Sequence, residues 1–281
     1  MNNNQTRENV IDANVKYHTA HSATYHLQPH FKPENQVLFT EKLKKFSKKC
    51  GNELLVDLGC GTGFVIELAT SHFSNVVGVD ITPAMLKKVD RSLDNSSLIQ
   101  ADTEYIPLVG NIANVVTSNS YLHHLWDIEV TVKEAFRLLK NGGVFFCEED
   151  PNALYWDLFD KKNLTEIEEY GNASEIIMRE LSTVVNAHKN MGDETNTNPD
   201  LVKLAEYQKM VKGGMREKEL ERIFLTVGFK EVKIEYYWFI GQSHLSSQNR
   251  NNEIQIIEEY LRMLFPLTKN LFKYLRMEAW K

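Results

Sequence analysis

Residues 56–64 read VDLGCGTGF, three glycines at 59, 61 and 63 with an acid, Asp57, two positions before the first of them. An apolar run, ELLVDLG, precedes the glycines and a helix-like segment, FVIELATSHF, follows, so they fall at a strand-to-helix turn. There the backbone can bend tightly and let a ligand approach without intervening side chains. Dinucleotide-binding turns use the spacing G-x-G-x-x-G and seat a pyrophosphate on the helix N-terminus. Here the spacing is G-x-G-x-G, and Asp57 would face the phosphate at a cost of roughly 4 kcal/mol for charges about 4 Å apart at an effective dielectric of about 20. A ligand presenting an ammonium group turns that cost into attraction.

Working outward, the chain alternates. The strand NVVGVD leads to a helix with Thr82 as N-cap and Pro83 at its first position, and then to the strand SSLIQAD. Next come the strand NVVTSNS, the helix IEVTVKEAFRLLK, the turn Asn141-Gly142-Gly143 and the strand VFFCEED. Five strands alternating with helices predict a doubly wound α/β fold with a mostly parallel sheet and a binding crevice at the carboxyl ends of its strands. Four segments follow from this reading: a covering segment over 1–32, a core over 33–150, a helical insertion over 151–212, and over 213–281 the end of the sheet with a C-terminal helical segment. The insertion carries helical patterns at Leu154, Leu158, Ile176, Ile177, Leu181, Val184 and Val185, broken by NMGDETNTNPD, which reads as a mobile loop. The core resumes with the helix REKELERIFLTVGF and the strand EVKIEYYWFI; the last stretch, Glu253 to Lys281, reads as amphipathic helix interrupted at Pro266.

Two more acids stand where an adenosyl ligand needs them. Asp80 ends the second strand, 17 residues beyond Gly63, where a carboxylate can accept from both ribose hydroxyls. Asp102 ends the third strand, placed to accept from an adenine amino group, and Ile81, Met85 and Ile106 could sandwich the purine. S-adenosylmethionine, with an α-ammonium, a sulfonium and no phosphate, satisfies all three acids. In order and spacing, LLVDLGCGTGF, VVGVDITPAMLKKV, LIQADTEYIPL and AFRLLKNGGVFF resemble the consecutive motifs of class I S-adenosylmethionine-dependent methyltransferases of the small-molecule type. The resemblance implies a Rossmann-like sheet of seven strands with a reversed hairpin at its edge. It also implies cofactor contacts from Asp57, Gly59, Cys60, Gly61, Asp80, Ile81, Met85, Asp102, Thr103 and Asn119. AHSATYH is similar to the segment that covers the cofactor in such enzymes, which places Tyr25 near the methionine carboxylate.

Methyl transfer to an oxygen, nitrogen or carbon nucleophile of a small acceptor, in secondary metabolism, is the activity this implies. Positioning does most of the work, and a general base is required only where the nucleophile loses its proton early. SNSYLHHL and EED end the fourth and fifth strands and supply the candidates. His124, then His123, are the candidate bases, since imidazole accepts a proton near neutral pH. Tyr121, Glu148 and His26 are candidate substrate contacts. The N-terminal histidines His18, His21, His26 and His30 are joined by no acid or cysteine of comparable spacing, so no metal site is expected. The same fold also admits a non-methylating use of the sulfonium ligand, or a non-catalytic regulatory module.

Composition sets outer bounds. A formal charge of −6 supplies no broad positive field, so a nucleic-acid partner is not expected. Three cysteines without a C-x-x-C, no export signal and no apolar run of spanning length fit a cytoplasmic protein. The oligomeric state is not legible.

Overall fold

Strand β1 (Leu55–Leu58) is buried at every position because it is laddered on both edges, in parallel with β2 (Val76–Asp80) on one side and β4 (Ala113–Asn119) on the other. From that centre the sheet of this computed structural model extends to seven strands in the order β3-β2-β1-β4-β5-β7-β6, with β3 at Ser96–Gln100, β5 at Leu139–Pro151, β6 at Glu231–Phe239 and β7 at Phe272–Trp280. The β5–β7 and β7–β6 pairs are antiparallel, and the other pairs are parallel. The structure describes residues 6–28, 31, 33–160, 175, 178–180 and 187–281. His30 and the expected helical positions Ile176, Ile177, Leu181, Val184 and Val185 lie outside the described residues.

The helices follow from caps and apolar spacing. Helix α1 (Arg7–His21) starts where the Thr6 hydroxyl accepts the Asn9 N–H, and it buries Val10, Ala13, Tyr17 and His21, a spacing of three, four and four. Helix α2 (Pro33–Cys50) packs Phe39, Leu43 and Phe46 on the sheet beside α3 (Phe64–Ala69). The short α4 (Pro83–Leu86) follows Thr82 and has Pro83 at its first position, although the Thr82 side chain makes no capping bond. Helix α5 (Ile128–Leu138) is capped by the Asp127 carboxylate, which accepts from Glu129 N, and turns Ile128, Val132, Ala135 and Leu138 inward. Beyond β5 come α6 (Ala153–Asp160), α7 (Ala187–Thr195), α8 (Pro199–Ala205) and a π-helical turn, Tyr207–Val211. Helix α9 (Glu217–Val227) then buries Leu220, Ile223 and Phe224 against Phe145 and Phe229.

Two expectations are corrected. NMGDETNTNPD is helical through Thr195 and resumes helix at Pro199, where Asn198 accepts the Asp200 N–H, so the loop shrinks to residues 196–198. The C-terminal segment is not helical throughout. After α10 (Gln242–Ser247) and α11 (Asn251–Met263) the chain enters β7, which inserts between β5 and β6. Pairing on both edges, with Leu275, Met277 and Ala279 alternating into the core, outweighs the local helical pattern.

Gly59 is the tightest point of the fold. Its φ is +67°, and a Cβ there would lie 2.0 Å from Cδ2 of Tyr121. Gly59→Ala is therefore expected to lower stability by about 1–3 kcal/mol through combined strain and displacement of that ring. Urea unfolding showing wild-type stability would contradict the packing described.

Candidate active site

The glycine turn is held from below and from the side. Gly59 N–H and Cys60 N–H both donate to the Val79 carbonyl, and Gly61 N–H donates to Asp80 Oδ2 at 2.9 Å. The other Asp80 oxygen accepts Thr82 N–H at 2.7 Å. Both Asp80 oxygens are thus fixed by backbone donors in a residue that lines the crevice, and burial raises its pKa. Asp57 sits underneath the turn, buried, with Oδ1 accepting the Thr117 hydroxyl at 2.7 Å. Burial pushes its carboxyl up to about 8, so it does not line the crevice as an exposed charge.

Above the turn lies a narrow cleft of about 70 Å³. Gly59, Gly61, Asp80, Ile81, Met85 and Asp102 line it from the sheet, and Val10, Ile11, Asn14, His18 and Tyr25 close it from α1 and the turn after it. A Cβ at Gly61 would meet only Tyr25, at 3.7 Å, so that backbone is open to a ligand. At the far end Arg7 ion-pairs with Asp102 and, at 2.8 Å, with Glu104. Arg7 and Glu104 were not singled out in the sequence; a lone arginine in a polar leader carries no pattern that could have marked it.

Several expected contacts lie elsewhere. Ile106 points into the core rather than toward a purine, and its N–H donates to Glu134. Cys60 is buried with its side chain beside Gly78 and Ile66, contributing backbone alone to the turn. Thr103 is buried behind the cleft, where its hydroxyl shares a hydrogen bond of 2.7 Å with the Tyr121 hydroxyl. Tyr121, expected at the acceptor, thereby lines the first cleft. Asn119 lies outside that lining, with its amide donating to Glu149 at 3.5 Å, and His26 is exposed and lines neither cavity.

A second, larger cavity of about 790 Å³ opens beside the first, between β5, β7, α1, α10 and the π-helical turn. His18, Tyr25, Ser120 and His124 line both. His124 is buried there, with Nδ1 2.7 Å from the Ala205 carbonyl; as donor, Nδ1–H leaves Nε2 with its lone pair. Burial lowers its pKa to about 4. The His18 ring meets it edge-on, 4.7 Å between centroids. His123 faces the larger cavity, and its Nδ1 lies 3.0 Å from Asp150 Oδ1. Glu148 lines the larger cavity in an ion pair with Arg276.

Glu206, in a stretch whose local pattern is ordinary helix, closes this group, at 3.7 Å from His123 Nε2 and 3.9 Å from His124 Nδ1. Burial works to raise its pKa, but the Lys209 ammonium at 2.8 Å and the two imidazoles hold the carboxyl well below the usual range. His123, His124 and Glu206 have their donor atoms within 4.8 Å of one another, a set distinct from the N-terminal histidines. The cation beside Glu206 is Lys209, and His124 Nδ1 is engaged by Ala205.

Residues 56–147 match the family model described as a methyltransferase domain. Over 153 residues the chain is 28% identical to a demethylmenaquinone methyltransferase of Staphylococcus saprophyticus, covering 50% of this chain and 66% of that protein. It is also 28% identical over 111 residues to a probable S-adenosylmethionine-dependent methyltransferase of Mycolicibacterium smegmatis, covering 40% of this chain and 43% of that one. The chain therefore spans between two-fifths and two-thirds of the length of these curated relatives. Among solved structures, an S-adenosylmethionine-dependent methyltransferase from Mesorhizobium loti superposes with a TM-score of 0.52 at 17% identity, covering 86% of this chain and 96% of that one. An N-methyltransferase from Haemonchus contortus, solved with S-adenosylhomocysteine, gives 0.56 at 15% identity, covering 98% of this chain and 59% of that one. Residues 56–147 thus match a methyltransferase domain, and the seven-stranded sheet is the fold of solved methyltransferases that use S-adenosylmethionine as cofactor. The open backbone at Gly61 and the paired oxygens of Asp80 suit that cofactor.

Proposed function

We propose that this protein transfers a methyl group from S-adenosylmethionine to a nucleophile of a small organic molecule. The observation that carries the reading is the meeting of the two cavities at His18, Tyr25, Ser120 and His124, which gives a covered cofactor cleft an outlet onto a separate acceptor space. The cofactor supplies an electrophilic methyl already activated by its sulfonium. The chain's own residues orient, cover and handle the proton. Asp80 accepts from the ribose hydroxyls on lone pairs its two backbone bonds leave open, and Tyr25, beside Gly61, covers the amino-acid end. Asp102 holds the adenine end together with Arg7. Enclosure by α1 removes water and so strengthens every polar contact inside.

At the junction His124 takes the acceptor's proton. The Ala205 carbonyl fixes its tautomer, and at neutral pH the low pKa keeps Nε2 unprotonated and able to accept. His123, held by Asp150, positions the pair. A cytoplasmic setting is supported by the free thiols Cys50, Cys60 and Cys147, and no described helix is long and apolar enough to cross a membrane.

Asp80→Ala is expected to weaken S-adenosylhomocysteine binding by about 2–4 kcal/mol, since two charge-assisted bonds are lost. Calorimetry giving an unchanged affinity removes the ribose role.

The Asp57 carboxyl yields a pH test. Its folded pKa of about 8 lies above its ordinary value, so its protonated form supports the free fold at low pH, and that contribution is lost as pH rises through about 8. A ligand ammonium favours the charged form, so binding releases the proton, and affinity should tighten by up to about tenfold per pH unit between about pH 6 and 8. The profile should flatten in Asp57→Asn. A pH-independent Kd in the wild type would refute the coupling.

His124→Ala should slow single-turnover methyl transfer by about 10²–10⁴-fold while leaving S-adenosylhomocysteine affinity nearly intact. Wild-type turnover in that variant rejects the base.

A further inference from the structure

Three cationic side chains line the larger cavity: Lys209, Arg276 and Lys273. The first two are neutralised, Lys209 by Glu206 at 2.8 Å and Arg276 by Glu148. Lys273 differs. Among the described residues no carboxylate lies within ion-pair distance of its ammonium, and no hydrogen bond is made to it. Its chain is partly buried, and burial lowers its pKa, the sign of a charge short of water. Glu180 is felt only from beyond ion-pair range and is engaged by the Tyr155 hydroxyl at 2.6 Å. An unneutralised, partly desolvated ammonium is costly to keep in a wall that serves packing alone.

Beside it in the same wall stand two tyrosines, with the Glu149 carboxyl acting on both phenols. The Lys273 ammonium lies 5.6 Å from the ring of Tyr274, which sits 5.9 Å from that of Tyr237 across the β6–β7 ladder. The Tyr237 hydroxyl oxygen accepts the Glu149 N–H at 2.7 Å, which leaves its own O–H to donate. Burial raises the pKa of both phenols, so both stay protonated donors. The ammonium and the two phenols line one wall of the same cavity, and together they are chemistry that receives an anion.

We propose that Lys273, with Tyr274 and Tyr237, forms an anion subsite in the acceptor cavity, so that the methyl acceptor is a small molecule carrying a carboxylate or phosphate. The inference rests on the reading of the larger cavity as the acceptor space.

The test uses full-length protein saturated with S-adenosylhomocysteine, probed by calorimetry and by nuclear magnetic resonance with inorganic phosphate, benzoate and, as cationic control, methylammonium. Phosphate or benzoate should bind with one-to-one stoichiometry. The Kd should weaken by about tenfold or more in Lys273→Met and Lys273→Gln, stay near wild type in Lys273→Arg, and be unmoved in the exposed control Lys218→Met. Preference for phosphate assigns phosphorylated acceptors, and preference for benzoate assigns carboxylates; either supports the subsite. Failure of both anions to bind, or equal binding in wild type and Lys273→Met, overturns it. S-adenosylhomocysteine affinity measured on the same samples separates the two readings. Its loss in the wild type sinks the methyltransferase function, whereas intact cofactor binding without anion binding sinks the subsite alone.

Discussion

The Asp80 carboxylate, with one oxygen on Gly61 N–H and the other on Thr82 N–H, ties the turn after β1 to the end of β2. Everything in the cofactor cleft depends on that tie. It sets the direction of the glycine backbone, it presents the remaining lone pairs of the acid to the cleft, and it fixes the start of α4, whose Met85 forms part of the wall. Asp57 supports the same turn from beneath through Thr117, on a neighbouring strand. Two buried acids under one loop are mutually unfavourable, and each is pushed toward its neutral form; a bound cation is what would relieve them.

The second centre of organisation is the contact between the two covering parts of the chain. Ala13 and Tyr17 of α1 pack against Val202 and Ala205 of α8, so the N-terminal helix and the segment inserted after β5 close over the sheet as one apolar cluster. From that cluster the next residue, Glu206, reaches the histidine pair, and the Ala205 carbonyl sets the His124 tautomer. The site is thus assembled from three distant pieces: α1, the end of β4 and the insertion. Strain collects at the same place. Ser120 and Glu149 hold positive φ values of 51° and 63° at the ends of β4 and β5, and both line the larger cavity.

Much of this was legible in the sequence, for identifiable reasons. The doubly wound core could be read because each strand is apolar, short and bounded by turn residues, and because Asp57, Asp80 and Asp102 fall at consecutive strand ends. The junction of the cavities was partly legible, since Tyr25, His124 and Glu148 were expected near the chemistry and do line one or both cavities. What escaped depends on long-range contact. β7 carries lysine and arginine among aromatic residues, and only pairing with β5 and β6 makes it a strand; Lys273 and Arg276 thereby move from an expected helix face into the wall of the larger cavity. Arg7, His18 and Glu206 sit in segments whose local pattern is ordinary helix, and each gains its meaning from a partner about 80 residues or more away. Ile106 and Tyr121 were placed in the right region but on the wrong surface, because sequence fixes neighbourhood more firmly than side-chain direction.

The decisive measurement is a crystal structure with S-adenosylhomocysteine bound. The ribose should sit on Asp80, the adenine end toward Asp102 and Arg7, and the sulfur at the gap framed by His18, Tyr25, Ser120 and His124, facing the larger cavity. A ligand bound elsewhere, or one whose sulfur faces away from that gap, would contradict it.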